Sequence, residues 1–511
     1  MEQGAGTAPA APRAKRPSPP VERLRQLVGG RWRAGGGREL LSVNPARPKE
    51  VVATGRLAQA RDLDDAVAAA REAFPGWAAT PHHGRAGVLA HAAALLDRRA
   101  EWYGEELARE EGKTRAEGVG EVRRTAEVFR YCAGEASRPA GEVFASPRPG
   151  EQIQVLHRPV GVVAAVTPFN FPIAVPAWKI GPALGFGNTV VWKPSGLVPL
   201  LAQRLAETLV EAGLPRGVLG LLHGDGELGA RLAGHPGVDA VTFTGSTAVG
   251  RALIASCGTL ARPVQTELGG KNAAAVLADA DLGLAAAEVV AGAFRSAGQK
   301  CTATSGLIVA DAVADELIAR VVDRAAALRV GDPLEPSTDM GPVVSLQARD
   351  ELQHAVDAAA ARPGAEVLTG GRPYGGPLAS GAYLPPTVVE LTGDEPLWHD
   401  DPLWREELFG PVLVVRRARD DREALRLVND SAFGLAAAVF TNDLHNVAAA
   451  IDTLDVGVLH INSETAGADP HGPFGGAGRS GYGPREQGSA AREFFTTTRT
   501  VYVRASAGGA R

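Results

Sequence analysis

The sequence predicts an α/β protein built around two parallel β-sheets, and three observations lead there. From residue 160 onward, short β-rich runs alternate with stretches long enough to hold a helix. These runs are apolar without alternation, the pattern of strands covered on both faces, as in parallel sheets. A second region of the same kind follows residue 301, and 511 residues are more than one hydrophobic core normally serves.

The elements can be read in order. Residues 1–20 are rich in Ala, Pro and Gly with no apolar run, and predict a flexible tail with no signal peptide. Two helical patterns dominate 60–135, one over 63–77 and one over 85–109, with apolar residues at three- and four-residue spacing. Strands are predicted at 160–166, 188–193, 217–222, 238–243 and 263–268, with helices around 175–185, 198–212, 226–234 and 247–257. The second region carries strands near 305–310, 411–416, 435–440 and 457–462. The run 494–503 is a late strand with no neighbour in sequence. The apolar window 159–178 is long enough to raise the membrane question, but four prolines and Asn170 would interrupt a spanning helix.

Composition excludes several functions. Apolar residues make up 45% and charged residues 22%, the balance of an ordinary globular protein. A net charge of −5 disfavours a nucleic acid or an anionic membrane as partner. Three cysteines, Cys132, Cys257 and Cys301, make a disulfide framework implausible and suit a reducing, cytoplasmic compartment. No metal site is expected.

Some turns suggest a dinucleotide. Gly224-Asp-Gly-Glu-Leu-Gly229 is a G-x-G-x-x-G between a strand and a helix, but it follows the third strand of its unit and lacks the usual downstream acid. A plain glycine-rich turn explains it equally well. At a second turn, Gly245 and Ser246 stand where a helix N-terminus could meet a phosphate. Lys193 ends the second strand, where it could bind ribose hydroxyls or a 2′-phosphate. It could also be a plain surface lysine.

Three residues carry chemistry. Cys301, beside Lys300 and near a helix terminus, is expected to have a lowered pKa and act as a nucleophile. Glu267 ends an apolar strand, where burial would raise its pKa toward that of a general base. Asn170, just past the first strand, could stabilise an oxyanion with its amide. Cys132 and Cys257 look like inert packing residues.

Seven motifs now stand in order: Thr-Pro-Phe-Asn-Phe-Pro (167–172), Trp-Lys-Pro-Ser (192–195), Phe-Thr-Gly-Ser (243–246), Glu-Leu-Gly-Gly-Lys (267–271), Gly-Gln-Lys-Cys (298–301), Glu-Glu-Leu-Phe-Gly-Pro-Val (406–412) and Pro-Phe-Gly-Gly (473–476). Together they resemble the NAD(P)-dependent, non-acylating aldehyde dehydrogenases over residues 21–504. The resemblance implies a Rossmann-like cofactor domain (21–136 and 159–266), an α/β catalytic domain (267–470) and a small β oligomerisation ribbon with the C-terminal segment (137–158 and 471–511). It makes Cys301 the nucleophile, Asn170 and the Cys301 backbone N–H the oxyanion donors, and Glu267 the base that activates water on the thioester. Lys179 and Glu486 would relay its proton. Lys193 and Glu407 would bind the two riboses, Phe409 would pack near the nicotinamide, and Ser246 would touch the pyrophosphate. Thr167, Pro168, Phe169, Ser195, Gly226, Gly245 and Leu268 complete the implied NAD or NADP site. CoA-acylating members do not use the Glu267 base, so its presence implies a free acid product.

The C-terminal quarter, Asn462 to Gly476 with 483–488 and 494–498, resembles the α-ketoglutaric semialdehyde (2,5-dioxopentanoate) dehydrogenases. Gly196 stands where that subgroup often has an acid, which implies tolerance of NADP. Asp469 and His471 depart from its usual residues in a loop lining the substrate tunnel, leaving succinic semialdehyde or an aromatic aldehyde as alternatives. Arg124 and Arg295 are among several arginines that could hold a substrate carboxylate. A cysteine hydrolase using Cys301 with His460 or His471 is the alternative of a different class. The edge strand near 494–503 predicts a homodimer or homotetramer.

Overall fold

The computed structural model describes residues 20–138, 141–392 and 401–504. Most of the predicted tail at 1–20 lies outside them. Two sheets organise the α/β fold, and the strands of each are placed as their apolar character requires.

The first sheet has eight strands. Its centre runs Val264–Glu267, Ala240–Thr244, Val162–Val166, Thr189–Lys193 and Leu219–Leu221, all parallel. In chain order this is 5-4-1-2-3, so the order reverses between Val162–Val166 and Ala240–Thr244. Ligands of such sheets bind outside the carboxyl ends at that reversal. The loops there are 167–172 and 245–246. The five predicted strands and four intervening helices are present, with Ala174–Gly185, Pro199–Glu211, Gly226–Gly234 and Thr247–Thr259 as the helices. The hairpin Gln26–Val28 and Arg31–Arg33 extends one edge, and Gly481–Tyr482 pairs antiparallel on the other.

Three helices, rather than two, occupy 60–136: Ala60–Ala79, His82–Glu110 and Arg115–Ala136. Gly112, at φ +102°, breaks the second from the third. Thr114 and Glu117 then cap the third with reciprocal side-chain and backbone hydrogen bonds.

The second sheet has seven strands in the order Ala365–Thr369, Thr387–Leu391, Val412–Ala418, Thr304–Ala310, Asn272–Val276, Ala436–Phe440 and Val458–Ile461. Its four predicted strands are present. Asn272–Val276, which the sequence reading missed, is interior to it. Three consecutive alanines have low strand propensity, and tertiary packing overrides that preference.

The late strand Thr496–Arg504 pairs antiparallel with Glu151–Pro159, which also pairs with Gly141–Ala145. Its neighbour thus comes from the same chain, some 340 residues earlier, and the ribbon keeps Thr496–Arg504 as an edge strand. The window 159–178 folds as strand, loop and helix start. Among the described residues no helix is long and apolar enough to cross a membrane.

Candidate active site

Four strand or helix ends bring the chemistry together. Cys301 lies in the turn after helix Leu282–Phe294 and the 3-10 segment Arg295–Gly298, and is partly exposed. Its carbonyl accepts a hydrogen bond from Asn272 Nδ2 at 2.8 Å, and Asn272 also donates to the Ala303 carbonyl at 2.9 Å. Asn170, from the loop after Val162–Val166, donates from its side-chain amide to the Gln299 carbonyl at 2.9 Å. The amide that the sequence reading singled out is therefore tied to the loop carrying the thiol. Gln299 is held in turn by the Val344 N–H, which donates to its Oε1 at 2.9 Å.

The surroundings of Cys301 do not favour the expected lowering of its pKa, although the residue is partly exposed. The thiol is pushed up to about 12, first by burial and then by the carboxylates Glu407, Glu267 and Glu486. Two assumptions failed. Cys301 lies seven residues past the helix end at Phe294, away from any helix N-terminus that would favour an anion. The Lys300 ammonium pairs with Glu464, 3.4 Å distant, and is not among the largest charges acting on the thiol. Cys132 and Cys257 are buried with raised pKa values, as inert thiols should be.

Glu267 has the burial and the raised pKa expected of it. It is buried, and burial raises its pKa well above the carboxylate range, with Glu486 adding repulsion and Lys179 and Arg485 opposing. Among the described residues its Oε2 has no hydrogen-bond partner, an orphan that a water or substrate oxygen could satisfy. A Cβ on Gly475 would stand within 2.4 Å of Oε1, so this carboxylate needs glycine beside it. Lys179, on helix Ala174–Gly185, is fully buried, ion-paired with Glu486 and hydrogen-bonded to Thr242 Oγ1 at 3.0 Å. Glu267, Glu486 and Lys179 thus form one buried cluster, though 307 residues separate the lysine from its partner.

The reversal point offers a cradle for an extended anionic ligand. Ser246 precedes helix Thr247–Thr259 without a side-chain cap, so the first-turn N–H groups keep no side-chain acceptor. Gly245 donates its N–H to the Glu267 carbonyl at 3.1 Å, tying the two turns. Leu268 packs against Gly250 so closely that a Cβ there would clash. Lys193 is buried, which pushes its ammonium down, with Asp225 opposing. Thr167 accepts the Trp192 indole N–H at 2.8 Å and donates its backbone N–H to the Lys193 carbonyl. Ser195 instead closes a local turn by accepting from Leu197 N–H. At Gly226, the first residue of its helix, and at Gly196, an added Cβ would meet open space or a contact at 3.9 Å.

On the far wall, Glu407 accepts from the Gly270 N–H at 3.0 Å, and burial pushes its carboxyl up to about 7. Phe169 and Phe409 meet edge-to-face at 5.7 Å, with Pro168 just before Phe169 in the same loop, and Phe409 holds a left-handed φ of +58°. A cleft of about 380 Å³ opens between Phe169, Leu197, Gln299, Glu407 and Phe409. Uncapped helix N–H groups, a buried ammonium and an aromatic-lined cleft on one edge fit a dinucleotide.

Sequence reading missed Asn272, Gln299 and a buried group at 111–121. Gln299 stands inside a quoted motif and Asn272 just after another, yet their hydrogen bonds exist only in the folded loop. Arg124 pairs with Glu127 and Asp469, and Arg295 with Glu464. The largest charges acting on Cys301 are the carboxylates of Glu407, Glu267 and Glu486.

A thiol beside a buried carboxylate and a cleft that fits a dinucleotide, on this two-sheet fold, suits an NAD(P)-dependent oxidoreductase. Residues 32–501 match the aldehyde dehydrogenase family, and the chain belongs to it. An alpha-ketoglutarate semialdehyde dehydrogenase of Haloferax volcanii is 40% identical, covering 94% of this chain and 98% of its own. The alpha-ketoglutaric semialdehyde dehydrogenase of Bacillus subtilis is 37% identical, covering 94% and 97%. The solved structure of betaine aldehyde dehydrogenase from Staphylococcus aureus in complex with NAD+ superposes with a TM-score of 0.89 at 32% identity, covering 94% of each chain.

Proposed function

We propose that this chain oxidises α-ketoglutaric semialdehyde to its free acid, through a covalent adduct on Cys301. One observation carries the hydrolytic half: Glu267 is buried with an unpartnered oxygen, in a cluster with Lys179 and Glu486 whose charges act on it.

In this reading the Cys301 thiolate adds to the aldehyde carbon, and the Asn170 amide with the Cys301 backbone N–H holds the resulting oxyanion. The Asn170–Gln299 hydrogen bond fixes one amide hydrogen and leaves the other for that oxygen. NAD(P)+, when bound, supplies the hydride acceptor that leaves the acyl group on sulfur as a thioester. Lys193 and Glu407 would hold the two riboses, the first turn after Ser246 the pyrophosphate, with Thr167, Pro168, Gly226, Gly245 and Leu268 shaping the cradle. Phe169 and Phe409 would wall the reacting end. Glu267 then takes a proton from water attacking the thioester, and Lys179 and Glu486 pass it outward.

The names of the Haloferax and Bacillus relatives support the substrate. Open space at Gly196 supports use of NADP as well as NAD, because no carboxylate grows from that position toward a 2′-phosphate. The first sheet would serve as the cofactor domain (21–136 and 159–266) and the second as the catalytic domain (267–470). The edge strand Thr496–Arg504 supports a homodimer or homotetramer, checked by light scattering. Three free cysteines support a cytoplasmic setting. The deciding experiment compares kcat/KM for α-ketoglutaric semialdehyde, succinic semialdehyde and benzaldehyde with each dinucleotide. Preference for either alternative by about tenfold or more would overturn the substrate assignment.

A further inference from the structure

Both loops that build the oxyanion site are held by one short segment. Lys113, fully buried, donates to the Asn170 carbonyl at 2.8 Å and to Glu121 at 2.6 Å. The other oxygen of Glu121 accepts from the N–H groups of Ile173 and Ala174 at 3.1 and 3.2 Å. These contacts pin the loop 170–174 at its carbonyl and at its entry into helix Ala174–Gly185.

The nucleophile loop is pinned from the same segment. Glu117 Oε1 accepts from the Ser296 N–H at 2.7 Å, while its Oε2 accepts from the Thr114 N–H at 2.9 Å. Ser296 and Ala297 both sit at left-handed φ, +54° and +51°, before Gly298 at +69°. Two non-glycine residues in that region cost conformational energy and persist where surrounding contacts over-determine them. The Asn170 amide then bonds the carbonyl of Gln299, two residues before the thiol.

We propose that residues 111–121 form a clip whose purpose is to set the oxyanion site. Lys113 and Glu117 are its two positioning residues, one for the Asn170 amide and one for the Cys301 loop. Neither touches substrate. The clip rests on the reading of Asn170 as an oxyanion donor, and it predicts that Lys113 acts on rate through Asn170.

The test is a double-mutant cycle of Lys113→Met and Asn170→Ala, read by hydrolysis of p-nitrophenyl acetate, which needs the thiol and oxyanion donors but no dinucleotide. Asn170→Ala should lower kcat by about 10²- to 10³-fold. Lys113→Met should lower it by roughly 10- to 100-fold, with the KM for NAD+ in aldehyde oxidation changed less than about twofold. The double variant should fall no more than about threefold below Asn170→Ala alone. Lys113→Arg, which keeps the charge, should recover part of the rate. Losses that multiply in the double variant would overturn the clip while leaving Asn170 as a donor. A normal rate in Asn170→Ala would overturn the oxyanion reading and the clip with it. Should Lys113→Met not fold, the same cycle with Glu117→Ala, at a half-buried residue, decides the question through the other arm, with Glu117→Gln expected to restore the rate because it keeps an acceptor for Ser296.

Discussion

Replacing Glu267 by Gln removes one proton-accepting group and little else. The side chain keeps its volume in a pocket where Gly475 leaves no spare room, and burial there already disfavours charge. A general base contributes about 10²- to 10⁴-fold, or ~3–5 kcal/mol of barrier, so steady-state kcat should fall by that factor. The loss should fall on hydrolysis of the thioester. Rapid mixing of enzyme, dinucleotide and aldehyde should then give a burst of reduced nicotinamide equal to the Cys301 concentration, followed by slow turnover. In the unsubstituted enzyme kcat should rise with pH through the raised Glu267 pKa, because the base works only when deprotonated, and Glu267→Gln should flatten that limb. At a pH where Glu267 ionises, thermal stability should hold or improve, since the cost of burying its charge disappears along with the repulsion from Glu486. Turnover at the normal rate in Glu267→Gln would refute the assignment of this carboxylate as the base. Loss of the burst would refute its confinement to the hydrolytic step.

Further predictions rest on the same structure. Cys301→Ala should abolish both aldehyde oxidation and ester hydrolysis, by thousands-fold or more, since no other group forms the adduct; alkylation with iodoacetamide should report the loss of one reactive thiol. Glu486 raises the Glu267 pKa, so Glu486→Gln should move the rising limb of the kcat–pH profile to lower pH, whereas Lys179→Met should move it to higher pH, because the lysine lowers that pKa. Lys193→Ala should raise the KM for the dinucleotide, more for NADP than for NAD, with kcat at saturation changed by less than about threefold. Burial pushes the Glu111 carboxyl up to about 8 from 4.5, so the folded state binds its proton more tightly than the unfolded one. Stability is therefore lost as pH rises through that window, by at most ~5 kcal/mol. Melting curves should show the Tm advantage of Glu111→Gln growing between about pH 5 and about pH 9.

The sequence by itself determined the class of fold and singled out the side chains proposed to react. Parallel strands buried on both faces read as unbroken apolar runs, so Val162–Val166 and Ala240–Thr244 announced themselves. Asn272–Val276 did not, because its alanines owe their strand to the neighbours at 304–310 and 436–440 rather than to propensity. Cys301, Glu267 and Asn170 were visible because each interrupts an apolar or glycine-rich context with a group that needs a reason to be there.

Only the tertiary structure decided the electrostatics. Lys300 is adjacent to Cys301 in sequence, yet its charge pairs with Glu464, and the largest charges acting on the thiol come from positions 267, 407 and 486. Coulomb energy depends on distance and burial, and neither follows from neighbourhood in the chain. The same holds for Lys113, which looks like a turn residue after Gly112 and proves to hold the Asn170 loop 57 residues away. A sequence can name the groups a site needs. Which charges face one another, and how far water is kept from them, is fixed when distant strand ends and loops pack onto one edge.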